Sequence, residues 1–566
     1  MIVVHQCKLP CGVDIHTKEG ASLLEGKLRK TLRIRGEEPL SWKIVRHSVD
    51  ARKKPDLFDI YSCAVSFGKD RVREQNLVKK LRDRNVLYEE PAEYHFPVEL
   101  HATDAATKQR PVIVGFGPAG IFAGLLLARA GLRPIILERG KAMAERVADV
   151  ERLWQEGILD PSSNCQFGEG GAGTFSDGKL NTNVKDRQGR TDFVLRTFIE
   201  AGATEDISYE FHPHIGTDVL RNVVVNLRNE IISLGGEVRF QSEMTDLHIE
   251  GGRVAGVTVR QETTCYDIPT DTVILAPGHS ARNTIRRLYE QKIPMEQKAF
   301  AVGLRVSHPQ SLINHQQYGI SDERELARLH LPAVSYKLTA HAKDGRGVYS
   351  FCMCPGGYIV NASSEPGRLA VNGMSDYLRD SRRANSAVVV TVDSGIFQSE
   401  EVLAGMEFQE QIEEKAFRLA DGRVPVERYR DFEQGFAEGA GVYEATPDGN
   451  DLSDAERLCI KGQCHAAPVH TLMPEELTQD FIEGMQAFEH RIPGYTGDGA
   501  YVCGIESRTS SPVRILRGED FQSEIEGLYP CGEGAGYAGG ITSAAIDGMK
   551  VAEAAAAHIA AKLGTD

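Results

Sequence analysis

Pro111-Val-Ile-Val-Gly-Phe-Gly-Pro-Ala-Gly-Ile-Phe-Ala-Gly-Leu-Leu-Leu-Ala-Arg-Ala-Gly-Leu-Arg-Pro-Ile-Ile-Leu-Glu-Arg-Gly140 contains every part of a dinucleotide-binding βαβ unit. Val112 to Val114 read as a short buried strand. Gly115 allows the tight turn that follows, Gly117 admits a pyrophosphate to the backbone, and Gly120 lets the next helix pack closely on the strand. The expected helix over Ala119–Ala130, preceded by Pro118, aims its amides and positive dipole end at the phosphates. Gly131 ends it, and Ile135–Leu137 form the second strand. Glu138, followed by Arg139, stands where a carboxylate accepts hydrogen bonds from the adenosine ribose. A glycine-rich turn alone would be weak evidence; here the whole unit is present.

Outward from that unit, 566 residues predict about three domains. With 41% apolar and 26% charged residues the chain has a globular composition, and a net charge of −15 argues against nucleic-acid and membrane-surface binding. Residues 1–110 nevertheless carry a basic excess of about five charges. No apolar run reaches the roughly 18 residues of a membrane span. The first residues lack the basic flank and apolar length of a signal peptide. Eleven scattered cysteines do not form a disulfide framework, so a reducing cytoplasm is expected.

The fold expected is α/β: a Rossmann-like two-part dinucleotide domain with an inserted α+β substrate or cap domain and an N-terminal ferredoxin-like α+β domain. Strand-like stretches at Ile2–Leu9, Trp42–Asp50, Phe58–Phe67 and Val86–Tyr88, with helices at Ala21–Leu32 and Lys69–Arg84, give β-α-β-β-α-β over residues 1–100. No aromatic RNA-binding motif appears in these strands, and the basic run Arg52-Lys53-Lys54 reads as a solvated loop. Residues 101–110 read as a linker, 111–291 as the first part of the dinucleotide domain, 292–494 as the insertion and 495–566 as the second part.

Three later segments direct the cofactor assignment. Leu528-Tyr-Pro-Cys-Gly-Glu-Gly-Ala-Gly-Tyr-Ala-Gly-Gly-Ile-Thr-Ser543 resembles the returning C-terminal segment of glutathione-reductase-like and fumarate-reductase-like flavoproteins. The resemblance implies FAD. It places Gly532 and Glu533 at the ribityl chain, with Glu533 where the family usually has Asp. It also places Gly540, Ile541 and Thr542 at a helix start facing the flavin N1/O2 edge, where a positive dipole end stabilises charge on reduction. Cys165-Gln-Phe-Gly-Glu-Gly-Gly-Ala-Gly-Thr-Phe-Ser-Asp-Gly-Lys-Leu-Asn181 is similar to the glycine-serine loop of the same flavoproteins, implying cofactor contacts from Gly170, Gly171, Ala172, Thr174 and Ser176. Ala276-Pro277-Gly278 resembles their Ala-Thr-Gly turn, with Met244 beside adenine. Together with Tyr349-Ser-Phe-Cys-Met-Cys-Pro-Gly-Gly357, Asn372-Gly-Met-Ser375, Ala384-Asn-Ser-Ala387 and Glu506-Ser-Arg-Thr-Ser-Ser-Pro-Val-Arg514, these runs resemble the uncharacterised FAD-dependent dehydrogenases of bacteria and plastids over nearly the full length.

The expected activity is a FAD-dependent oxidoreductase acting on a small or medium, anionic organic substrate. No second GxGxxG unit occurs, so electrons would come from transiently bound NAD(P)H, a protein electron carrier or the substrate itself. Cys352 and Cys354 are the thiols of most interest; a CxC pair can form a disulfide or present a thiolate. Arg305, Arg508 and Arg514 are candidates to grip an anion, Lys179 is another beside the flavin, and His465 and His470 are candidate proton donors. Cys459 with Cys464-His465 offers only weak metal-ligand spacing, and no metal is expected. Two alternatives stand beside this reading: an RNA-associated flavoprotein using the N-terminal domain, and a non-catalytic flavin-bound interaction protein.

Overall fold

A computed structural model describes residues 1–34, 38–68, 70–90, 92–98, 110–439, 452 and 454–564. Residues 101–109 of the expected linker lie outside these. Contacts divide the chain into two compact units: 1–94 with 185–214 and 310–334, and the remainder. Two segments expected in the dinucleotide domain and the insertion thus group with the N-terminal residues.

In the first unit, strands Ile2–Pro10, Ser41–Lys53, Asp56–Ser66 and Val86–Tyr88 form an antiparallel sheet, with Asp56–Ser66 and Ile2–Pro10 central. With helices Lys18–Leu32 and Arg71–Leu81 this is the ferredoxin-like arrangement expected from the element order. Leu24, Leu28 and Leu32 recur every fourth residue and are fully buried in one core with Ile2, Val4, Cys63 and Val65. Thr17 caps that helix, its hydroxyl accepting from Gly20 N at 3.1 Å. The basic run is tied down locally: Arg52 pairs with Asp50 at 2.7 Å, and Lys54 Nζ donates to the Gln316 carbonyl.

In the second unit five parallel strands run in the spatial order Leu528–Pro530, Val273–Leu275, Val112–Val114, Ile135–Leu137, Glu237–Arg239. The first four are three-residue strands buried throughout, as a parallel sheet covered on both faces requires. Helix Pro118–Arg129 is apolar nearly all round and packs against the C-terminal helix Ile541–Gly564. Gly548 permits that approach; a Cβ there would lie 2.2 Å from the Ala119 carbonyl oxygen.

The insertion builds a seven-stranded mixed sheet whose central strands are Gly347–Cys354, Arg383–Val392, Phe300–Pro309 and Tyr501–Glu506. Because Tyr501–Glu506 pairs with Phe300–Pro309, this sheet extends beyond the boundary expected at residue 494. Among the described residues, no helix is long and apolar enough to cross a membrane.

Candidate functional site

The carboxyl ends of the parallel strands open into a cavity of about 380 Å³ within the second unit. Gly115, Gly117, Pro118 and Ala119 form one wall, with Glu138 and Arg139 at the end of the neighbouring strand. Gly115 has φ +101, and a Cβ on it would lie 2.1 Å from the Ala276 oxygen. Only glycine suits that backbone. Gly120 does not line the cavity; it packs on the turn, where a Cβ would meet the Gly115 oxygen at 2.0 Å. Glu138 is buried and accepts three backbone N–H groups: Gly140 at 2.8 Å and Gly168 at 2.9 Å on Oε1, and Phe116 at 3.0 Å on Oε2. These fix the carboxylate while leaving acceptor capacity on Oε2. Arg139 lies over the Phe167 ring and pairs with Glu243 at 3.4 Å.

The same cavity is lined by Gly171, Ala172 and Ser176, by Ala276, Gly278, Gly532, Glu533, Gly540 and Ile541, and by Met244. Gly117 and Gly171 approach so closely that a Cβ on Gly171 would lie 2.9 Å from the Gly117 Cα. Three expected contacts are corrected. Gly170 turns away, and the hydroxyls of Thr174 and Thr542 donate instead to the carbonyls of Glu169 (3.1 Å) and Leu180 (2.8 Å). The single proton of each hydroxyl is thereby committed to the backbone.

Lys179, Phe351, Cys352, Asn372, Glu506 and Arg508 also line the cavity. The loop carrying Lys179 is anchored by fully buried Asp177, which accepts from Ser375 and is paired with Arg379. Lys179 Nζ stands 3.7 Å from Asp177, buried and without a hydrogen-bond partner. Cys352 is partly exposed to the cavity with φ +44, and Cys354 is buried behind it. The Cys354 thiol, together with Lys179 and Arg305, holds the Cys352 thiol below the ordinary range against its burial. The same contact and burial push Cys354 up.

Arg305 is not an anion clamp. It is fully buried and bound to Glu506 through Nε (3.0 Å) and Nη2 (3.2 Å), while Nη1 donates to the backbone carbonyl of Cys352 (3.0 Å) and to Oδ1 of Asn385 (2.9 Å). Gly373 makes room for it; a Cβ there would lie 2.1 Å from Nη1. Arg508 lines the cavity but is likewise committed, to Glu413 at 2.8 Å and Glu365 at 3.2 Å. Arg514 pairs with Glu296 at 3.0 Å. His465, on strand Cys464–Ala466, and His470, bound to Glu427 at 2.8 Å, are not in the cavity wall. Cys464 donates to the Leu452 carbonyl at 3.3 Å, and no group of three or more potential metal ligands occurs among the described residues.

The sequence reading passed over His279. It lines the cavity with Nδ1 2.7 Å from Glu533 Oε1, while its Nε2 is buried without a hydrogen-bond partner. Its position directly after Gly278, at the carboxyl end of a parallel strand, was the available signal.

Comparison with known proteins now bears on this geometry. Residues 299–509 match the family described as "FAD-dependent protein, C-terminal domain-like". A Clostridium beijerinckii relative, described as an uncharacterized protein, is 42% identical over 550 residues, covering 96% of this chain and 97% of that one. Among solved structures, the flavin-dependent brominase Bmp2 is 12% identical, covering 81% of this chain and 80% of its own, with a TM-score of 0.35. Glycerol-3-phosphate dehydrogenase from Bacillus halodurans, complexed with FAD, is 12% identical, covering 81% and 65%, with a TM-score of 0.34. Both are too distant to inform activity. With the Clostridium relative spanning almost the whole chain and the matched family covering the insertion, the chain belongs to a family of FAD-dependent proteins.

Proposed function

We propose that the protein is a FAD-dependent oxidoreductase, moving hydride or electrons between the flavin and a small anionic organic substrate in this cavity. The observation that carries the reading is a single cavity lined both by a glycine cradle and by a cluster of polar, thiol and cationic side chains. The residues fit FAD. Gly115 and Gly117 line the cavity with backbone bare of side chains, Glu138 keeps a lone pair for a ribose hydroxyl, and His279 Nε2 lacks a partner. Gly117 and the first turn of Pro118–Arg129 would hold the diphosphate, and Gly532, Glu533 and His279 the ribityl side. Gly540 and Ile541, opening the helix Ile541–Gly564, would set a positive dipole end against the ring. Bound there, FAD supplies two-electron redox chemistry.

The anionic substrate is supported by Lys179. Arg305 and Arg508 are neutralised by carboxylates, whereas the Lys179 ammonium has no hydrogen bond and only a 3.7 Å ion pair. Phe351 supplies apolar wall beside it. The test is to purify the protein, record its visible flavin band after FAD addition, and attempt anaerobic reduction with NADH, NADPH and dithionite. Lack of flavin absorbance overturns the reading. Reduction by a nicotinamide would identify the electron donor, and lack of it would leave a protein carrier or the substrate as donor.

A further inference from the structure

Cys352 and Cys354 lie on strand Gly347–Cys354, whose pairing with Arg383–Val392 slips between Phe351 and Cys354. This bulge gives Cys352 its left-handed backbone, a conformation non-glycine residues adopt only at a steric cost. It leaves Cys352 in the cavity wall and Cys354 beneath it. The Cys354 thiol lies 3.2 Å from the Cys352 carbonyl oxygen. Arg305, locked by Glu506, points Nη1 at that carbonyl and stands 4.0 Å from the Cys354 sulfur. Lys179 adds a second positive charge on the cavity side. An accessible sulfur, a buried sulfur behind it and two cations beside them are the parts of a thiol–disulfide centre.

We propose that Cys352 and Cys354 are a second two-electron centre, cycling between dithiol and disulfide in exchange with the flavin. The proposal rests on this cavity being the FAD site. Oxidation joins the two sulfurs: the Cys352 thiolate and the Cys354 thiol give up two electrons and one proton. Oxidised FAD takes both electrons and the proton. In the reverse direction the S–S bond breaks and the proton returns to Cys354. Cys352, the sulfur facing the cavity, is the one that meets a thiol or disulfide substrate. Attack by its thiolate on an external disulfide releases one substrate thiolate. Cys354 then attacks the mixed disulfide and passes its proton to that thiolate, so the second substrate sulfur leaves as a thiolate.

The test counts electrons and thiols in the full-length holoenzyme. The air-oxidised protein is titrated anaerobically with dithionite, and its free thiols are counted after denaturation with and without prior reduction. A flavin with a disulfide takes up four electrons per FAD, and reduction frees two further thiols. Cys352→Ser and Cys354→Ser are each expected to retain FAD and take up two electrons. Cys265→Ser, altering an exposed thiol, is expected to keep four. Two-electron uptake by the wild-type protein with FAD bound, or an unchanged thiol count, overturns the pair. Failure to bind FAD overturns the cofactor site on which it rests.

Discussion

Nδ1 of His279 lies 2.7 Å from Oε1 of Glu533, joining the turn after one parallel strand to the segment after its neighbour. The pair joins two segments that both line the cavity. Its outer nitrogen is buried and lacks a partner, so a bound group has a ready hydrogen bond there.

His279→Leu is therefore expected to weaken FAD binding about tenfold, equivalent to about 1.4 kcal/mol. Glu533→Gln should weaken it less, because the amide still accepts from the imidazole. Titrating apoprotein with FAD and following flavin fluorescence measures both. Equal affinities for wild type and His279→Leu would remove His279 from the site.

Gly115→Ala combines a positive φ with a Cβ 2.1 Å from a backbone oxygen. It should cost at least about 2 kcal/mol and eliminate stable flavin retention. Thermal melting and the ratio of flavin to protein absorbance after gel filtration test this; a variant that keeps FAD contradicts it.

Glu413 ties the insertion to the helix Arg282–Glu290, accepting from Arg282 at 2.8 Å and from Arg508 at 2.8 Å. Burial pushes this carboxyl up, but the two guanidinium groups outweigh it and hold it well below the usual range. A depressed carboxyl contributes stability above its unfolded value and loses it as pH falls through the folded one. Wild-type protein should therefore lose stability below about pH 4.5. Glu413→Gln should cost roughly 3–5 kcal/mol at neutral pH, with a shallower acid loss. Denaturant midpoints at several pH values provide the measurement.

In the first unit, both ring nitrogens of His47 face carboxylates: Nδ1 is 2.7 Å from Glu210 and Nε2 is 2.9 Å from Asp59, with the ring stacked on Tyr61. Burial opposes the charge, yet the two carboxylates raise the pKa to about 9. A raised histidine contributes fully below its unfolded value of about 6.5 and loses its contribution as pH rises through the folded value. On the order of 3 kcal/mol should disappear between about pH 6.5 and pH 9. Melting curves across that window should fall for wild type and stay flatter for His47→Gln.

Local constraints made half of the site legible. The turn at Gly115, the strand Val112–Val114 and the carboxylate of Glu138 belong to one contiguous unit, where backbone sterics dictate residue type. The ferredoxin-like order was legible because its strands alternate and its helices repeat over a continuous run. Long-range partners were not legible. Arg305 and Arg508 have the right chemistry for an anion clamp, but their carboxylates lie 201 and 95 residues away in sequence. Sequence reveals a guanidinium without revealing that it is already neutralised. His279 was missed for the same reason, since Glu533 alone distinguishes it from an ordinary turn histidine. The N-terminal unit also draws in residues 185–214 and 310–334, which no local pattern marks.

The strand Leu528–Pro530 pairs along Val273–Leu275, and the helix that follows starts at the cavity wall. Synthesis therefore delivers the two parts of the cavity wall far apart in time. While the ribosome is still reading the codons for the insertion, Gly115 and Glu138 have emerged but Gly532, Glu533 and the closing helix do not yet exist. A chain stopped before Leu528 would carry Gly115 and Glu138 but neither Gly532 and Glu533 nor the helix Ile541–Gly564 that completes the cavity wall.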